Sequence, residues 1–463
     1  MKKTPNRVVI INVLCTALLN GISMLMMPVY SYLLGTDNYG LASIYTTWST
    51  IFSIIIGVQL ASSIAVAQKD FSKEEQLAYQ ANGVYIGAMM GFVMSLICVM
   101  FRGPIAATLG IPVWSVLLLC PHAFGLFCVG FLNSKFTYEF KQEKNLLISV
   151  SMSIGAAVLS VVMILLLPDE ESYFGKVIGT AIPQILCGVL LLIFFLRNIG
   201  VHINKIYTRY ALVYGLPLVF SNLCSQLFAS SDKLMIQRMQ SNSAVGIYSL
   251  AFNFSAVISS IWYALNSAWG PFYYRYEADG DDSVLLNHMR NFVRLFSIIT
   301  AGFLLLSPEV FRLFAAPDFW GGDILIPVFV VGFYADFIGC FARNHQYYYK
   351  KTKTISAISV GSAVLNLILN AILIPVNGAL GAAFATMMSQ VLSMFANWFT
   401  ARRYASKTRK FPYSCKMFFP YVGLLILAAL LFYQKQLWWL RWPFGAVLGI
   451  WMLHKLWKTK QIF

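Results

Sequence analysis

Asp336 stands inside an apolar run, 13 residues after Asp323 and 7 before Arg343. A charge in the middle of a hydrocarbon-crossing helix costs on the order of 3 kcal/mol or more unless water or a partner meets it. Such a carboxylate binds a proton or a cation, or pairs with a base. Arg343 fits either that pairing or an anchor at the membrane surface. Asp232 and Lys233 lie near the end of another apolar run. There an ammonium either snorkels to the interface or holds an anion. Polar stripes accompany these charges. Asn12, Thr16, Asn20 and Ser23 follow the spacing i, i+4, i+8, i+11, and Asn222, Gln226, Ser230 and Lys233 repeat it. Each set therefore shares one helical face. Trp262, Asn266 and Trp269 fall at i, i+4, i+7. Asn366 and Asn370 make a shorter stripe, and Thr386, Gln390, Ser393 and Asn397 a longer one. Single hydroxyls in such places commonly bond neighbouring helices, at about 0.6–2 kcal/mol each. Whole stripes predict a hydrated cavity.

Other chemistries find no residues. The eight cysteines form no CxxC pair and, with the five scattered histidines, give no zinc spacing. The Asp279-Gly280-Asp281-Asp282 cluster lacks the ligand order of a calcium loop. No GxxxxGK[ST] segment is present. The reading is of a protein that is no enzyme and holds no metal or organic cofactor; a coupling proton or sodium ion is compatible with Asp336.

The elements that must position these residues are membrane spans. Of 463 residues, 59% are hydrophobic and 11% charged, with a mean hydropathy of +0.69. Soluble domains carry roughly 25% charged residues. Apolar stretches of span length recur, since about 20 residues cross roughly 30 Å of hydrocarbon. Fourteen spans are predicted, near 8–34, 39–67, 77–101, 111–133, 146–167, 176–196, 210–236, 244–269, 291–308, 324–343, 355–375, 379–401, 414–433 and 437–454. The fold class is an all-α polytopic membrane protein. Lys2, Lys3 and Arg7 precede a first apolar run too long for a signal peptide, so it reads as an uncleaved span.

The net charge is +16, from 34 Lys and Arg against 18 Asp and Glu. Twenty-seven of those bases fall at the termini and in alternate loops, six in the intervening loops, and Lys233 within a span. That asymmetry places both termini in the cytoplasm. It explains the basic balance without nucleic acid. All loops on the opposite side are short.

The chain also repeats at an offset of 206. Ser153–Leu159 (SIGAAVL) matches Ser359–Leu365 (SVGSAVL) at five of seven positions. Gly40 and Gly246, Ser43 and Ser249, Gly175 and Gly381, and Gln184 and Gln390 correspond as well. Six spans per copy, an even number, predict two parallel lobes about an axis normal to the membrane, the plan of an alternating-access transporter. The domains are then 1–200, an N-terminal six-helix lobe, 201–405, a C-terminal six-helix lobe, and 406–463, two added spans and a tail.

Four segments resemble the multidrug/oligosaccharidyl-lipid/polysaccharide exporter superfamily and, within it, the Wzx-type polysaccharide flippases. They are Pro28–Tyr45 (PVYSYLLGTDNYGLASIY), Gly215-Leu216-Pro217, Ser231-Asp232-Lys233-Leu234 and Val245-Gly246-Ile247-Tyr248. Lys233 stands where many relatives have Arg; the charge persists but the planar fork is lost. The resemblance implies MATE-like lobes in a bacterial inner-membrane flippase. Its cargo would be an undecaprenyl-pyrophosphate-linked oligosaccharide for O-antigen, capsule or exopolysaccharide. Membrane lipid, a polymerase and glycosyltransferases would be its partners. Asn and Gln suit sugar hydroxyls, Trp suits sugar faces, and a cation suits pyrophosphate. The implied cavity holds Asn12, Asn20, Asn222, Gln226, Asp232, Lys233, Trp262, Asn266, Trp269, Asp336 and Arg343.

Three alternatives stay open. A drug/cation antiporter would want a carboxylate in the first spans, and no acid precedes Asp37. A lipid II flippase would be expected to line those spans with arginine, and none lies between Arg7 and Arg102. A glycan polymerase or ligase would need a large outer loop.

Overall fold

The computed structural model describes residues 5–139, 141–200, 203–279, 282–404, 411 and 413–459. Every regular element among them is helical: α1 (Pro5–Gly57), α2 (Leu60–Asp70), α3 (Lys73–Met100), α4 (Arg102–Leu109), α5 (Val113–Tyr138), α6 (Gln142–Leu166), α7 (Ser172–Ile199), α8 (Lys205–Met239), α9 (Asn242–Asp279), α10 (Asp282–Phe314), α11 (Ile326–Tyr348), α12 (Thr352–Tyr404), α13 (Phe419–Tyr433) and α14 (Trp438–Thr459). Ten are long and apolar enough to cross a membrane, or eleven if the bent pair Phe419–Tyr433 and Lys435–Lys455 counts as one. The chain is a multi-pass membrane protein.

The difference from fourteen is one of connection. At 1.5 Å per residue a straight 53-residue helix would run about 80 Å, far beyond one bilayer. Both α1 and α12 are that long, and each is broken by one glycine: Gly35 (φ 65°, ψ 177°) and Gly378 (φ 56°, ψ −136°). Each therefore holds two of the predicted spans. Positive φ with extended ψ is open essentially to glycine alone. The predicted 39–67 span is interrupted at Val58 and Gln59, both at positive φ. The Val58 carbonyl lies where a side chain on Gly215 would have to go. At the C-terminal end, α13 has 15 residues and the pair bends by 106°. Fifteen residues rise about 22 Å, short of a full span.

Two compact units divide the chain, Met1–Gly246 and Ile247–Phe463. In the first, α1 packs on α3, α5, α6, α7 and α8. The α6–α7 hairpin closes through Gly175 and Gly179, which meet the α6 backbone at Met163–Ile164 and at Ser160. Small residues spaced four apart let helix backbones approach this closely. Phe127, Phe131, Leu191 and Phe195 join Leu60 and Ile64 in this unit's core. In the second unit α11 packs on α10 and α12, while α13 and α14 pack on α10. Its core is an aromatic stack: Phe296 and Phe337 lie 4.3 Å apart, with Phe292, Tyr334 and Phe341 around them. Arg441, fully buried, bonds the Glu309 carboxylate and the Leu305 carbonyl, and Lys435 bonds Asp323. These contacts fasten the start of α14 and the segment before it to α10 and to the segment ahead of α11.

Candidate functional site

The first unit places two ammonium groups on one face of α1. Lys233 of α8 donates to Ser43 Oγ at 3.1 Å. Lys176 of α7 lies between two phenol rings, 4.6 Å from the Tyr30 centroid and 4.3 Å from that of Tyr39. Tyr39 and Ser43 are four apart and share a face of the helix. Tyr30 and Tyr39 are nine apart, which in a straight helix would put them on opposite faces about 13 Å apart along the axis. The break at Gly35 lies between them and turns both rings toward one lysine. The backbone of one glycine thus builds the cage.

Among the described residues neither lysine forms an ion pair within 4.0 Å. The two charges act on each other, and Asp232, buried at 8% exposure, acts on Lys233. Aromatic faces attract a cation by about 2 kcal/mol when desolvated. They leave its charge in place. The pocket is therefore electropositive and has the chemistry of an anion site.

Deeper in this unit His122 is buried at 3% exposure between α1 and α7. Its Nε2 donates to Gln184 Oε1 at 2.8 Å, so Nδ1 accepts the Tyr45 hydroxyl at 3.1 Å. Both nitrogens are satisfied in the neutral ring, which serves as a polar strut between spans.

The second unit brings four of the predicted residues together. Asp336 and Arg343 lie two turns apart on α11 and pair at 2.8 Å, and the same guanidinium donates to the Asp336 carbonyl at 3.0 Å. Gly339 lies under it: a Cβ there would stand 3.0 Å from Arg343 Nη1. Arg343 also lies 6.0 Å from the Trp262 ring, and Asn344 donates to Asn266 at 3.0 Å. Trp262 and Asn266 of α9 thus meet the charged face of α11. Trp269 goes elsewhere; it is fully buried against Phe292 and Phe341.

The remaining predicted residues are dispersed. Asn20 is exposed and Asn222 half-buried, and neither bonds a described residue. Gln226 spends its amide on Ser230, 2.9 Å away on its own helix. The side chain of Asn12, and Gly280 and Asp281 of the acidic cluster, lie outside the described residues. Sequence reasoning missed Lys176, Tyr30, Tyr39 and Ser43 as a group. The hydropathy pattern starts the sixth span at Lys176, which assigns that lysine to the loop. The helix begins at Ser172, so Lys176 stands a full turn inside it.

A family model described as polysaccharide biosynthesis protein matches residues 7–277. The chain belongs to that family. It is 23% identical over 362 residues to protein 1 of the Lsg locus of Haemophilus influenzae, across 74% of this chain and 85% of that one. A second Haemophilus influenzae protein, described as a membrane protein, is 23% identical over 361 residues, 75% and 84% of the two chains. Among solved structures, the fold is similar to lipid II flippase MurJ in its inward closed conformation, with a TM-score of 0.73 and 15% identity over 98% of this chain and 99% of that one. It is also similar to an inward-facing multidrug resistance MATE family transporter of the MOP superfamily, with a TM-score of 0.59 and 14% identity over 84% and 93%. At these identities the likeness is one of fold. Family and fold agree with the superfamily resemblance carried by the Pro28–Tyr45, Gly215–Pro217, Ser231–Leu234 and Val245–Tyr248 segments.

Proposed function

We propose that this polysaccharide biosynthesis family member is a flippase. It moves a polyprenyl-pyrophosphate-linked oligosaccharide, the undecaprenyl form in bacteria, from the cytoplasmic to the outer leaflet of the cell membrane, with both termini cytoplasmic. The glycan then feeds O-antigen, capsule or exopolysaccharide assembly, upstream of a polymerase and downstream of glycosyltransferases. The observation that carries this reading is the pair Lys176 and Lys233, two cations held inside membrane spans without an ion pair among the described residues. Charges so placed call for a counter-charge. A diphosphate supplies it, while the polyprenyl tail stays in lipid. A cationic drug would be repelled by the same pair, which disfavours the antiporter reading. In the second unit Asn266 and the Asp336–Arg343 pair offer polar groups suited to sugar hydroxyls, with Trp262, buried at 2% exposure, backing the Arg343 guanidinium. Asp336 is also the group that a coupling proton or sodium ion would use.

The test is genetic and chemical together. Cells lacking the chain should lose surface polymer and accumulate the lipid-linked oligosaccharide, and the wild-type chain should restore both. Accumulation of lipid II instead would assign the cargo to the cell-wall precursor. Unchanged polymer and unchanged lipid pools would remove the reading.

A further inference from the structure

The opposite end of the first unit carries a second polar recess. Ser72 and Glu75 close a reciprocal capping box that fixes the start of α3. Gln76 and Gln80, four apart, then share one face of that helix. On α5, Lys135 and Glu139 are likewise four apart, and α3 packs on α5. Between the two helices lies a cavity of about 440 Å³ lined by Gln76, Leu77, Gln80, Lys135, Glu139 and Lys141.

Two observations mark this cup as a ligand site. First, Gln80 is 4% exposed and its Oε1 has no hydrogen-bond partner among the described residues. A buried acceptor without a donor is disfavoured, so the position asks for a hydroxyl or amine. Second, the charge is unbalanced. Lys135, 14% exposed, and Lys141, at 2.6 Å, share the single Glu139 carboxylate, and the charge of Lys144 also reaches Lys135. The wall behind Lys135 is apolar, with the Phe195 ring 5.8 Å from its ammonium. The cavity volume far exceeds the roughly 30 Å³ of one water.

We infer that this cup binds the headgroup of a lipid carrying both a phosphate and free hydroxyls. The phosphate meets Lys135 and Lys141, and a hydroxyl donates to Gln80 Oε1. A phosphatidylcholine headgroup supplies the phosphate but no donor for Gln80, and its trimethylammonium is repelled by the lysines. Phosphatidylglycerol and a polyprenyl-diphosphate sugar both satisfy the chemistry. The inference does not rest on the cargo reading above. It concerns the basic end of the unit, one helix crossing away from Lys176, and its test scores lipid retention rather than transport.

The purified full-length chain, exchanged into phosphatidylcholine nanodiscs, is offered phosphatidylglycerol, phosphatidic acid or a polyprenyl-diphosphate disaccharide, and bound lipid is counted by native mass spectrometry. Phosphatidylglycerol should be retained about tenfold better than phosphatidylcholine, and Lys135→Gln should remove most of that preference. Gln80→Leu should erase the preference for phosphatidylglycerol over phosphatidic acid, which lacks the hydroxyls. Lys353→Gln, an exposed charge in the other unit, should change nothing. Displacement of phosphatidylglycerol by the diphosphate glycolipid would make the cup a loading site for that lipid. Failure to displace it would make the cup a phospholipid site. Equal retention of phosphatidylglycerol and phosphatidylcholine by the wild type, or retention unchanged by Gln80→Leu and Lys135→Gln, overturns the inference. Should Lys135→Gln fail to fold, the wild-type comparison and Gln80→Leu still decide.

Discussion

At the scale of single residues, charge must be met inside a bilayer, and the two units meet it differently. Asp336 and Arg343 neutralise each other on one helix. Lys176 and Lys233 do not; they hold their charge against phenol rings and a serine. Lys176→Ala and Lys233→Ala should therefore each lower polymer export roughly tenfold or more at unchanged protein level, with Lys→Arg mild because the charge persists. Equal export by both alanine variants would leave the lysines as packing residues. For the other unit, Arg343→Met should destabilise more than Asp336→Asn. The double variant should recover part of the loss, with a coupling of about 0.5–3 kcal/mol in thermal unfolding. Additive losses would mean that the pair contributes nothing as a pair. Asp336, Lys233, Trp262 and Asn266 were legible because an ionisable or polar residue in an apolar run is conspicuous. Lys176 was hidden by its position near a helix start, where an ammonium reads as a flanking anchor. Only the helix start at Ser172 separates the two cases.

At the scale of elements, a single glycine shapes the surroundings of Lys176. Gly35 lets α1 kink, and Tyr30 and Tyr39 on either side of it both meet Lys176. Any side chain at that φ and ψ costs about 1–3 kcal/mol. Gly35→Ala is thus expected to lower both thermal stability and export, whereas Gly21→Ala, whose new methyl meets nothing within 4 Å, should be neutral. Comparable behaviour of the two variants would contradict a structural role for the break. Span positions could be read from hydropathy because length and apolarity are local properties. The joining of two spans across Gly35 or Gly378, and the interruption at Val58, could not, since they depend on what packs beside them. Gly40 illustrates the point: its space is filled by the Asn242 backbone, a partner some 200 residues away in the chain.

At the scale of the whole molecule, the breaks recur with the sequence repeat. Gly35 and Ser241, which separates α8 from α9, differ by 206; so do Ser172, where α7 begins, and Gly378. The 206-residue offset is therefore found at element boundaries as well as at residues. We propose that residues 1–200 and 201–405 are parallel copies, with 406–463 added after them. Reporter fusions after Lys351 should read cytoplasmic and fusions after Ser241 external; the reverse, or the same side for both, would break the proposed topology. The central claim is that the chain carries an anionic lipid-linked glycan between leaflets, and proteoliposomes test it most directly. The purified protein is reconstituted with a labelled polyprenyl-diphosphate oligosaccharide, and a membrane-impermeant glycosidase reports how much of the glycan reaches the outer leaflet. Near-complete accessibility is expected with the wild-type chain, and a stall near the outer-leaflet half with the Lys176→Ala/Lys233→Ala double variant. A stall with the wild type, or equal exposure by both proteins, would contradict it.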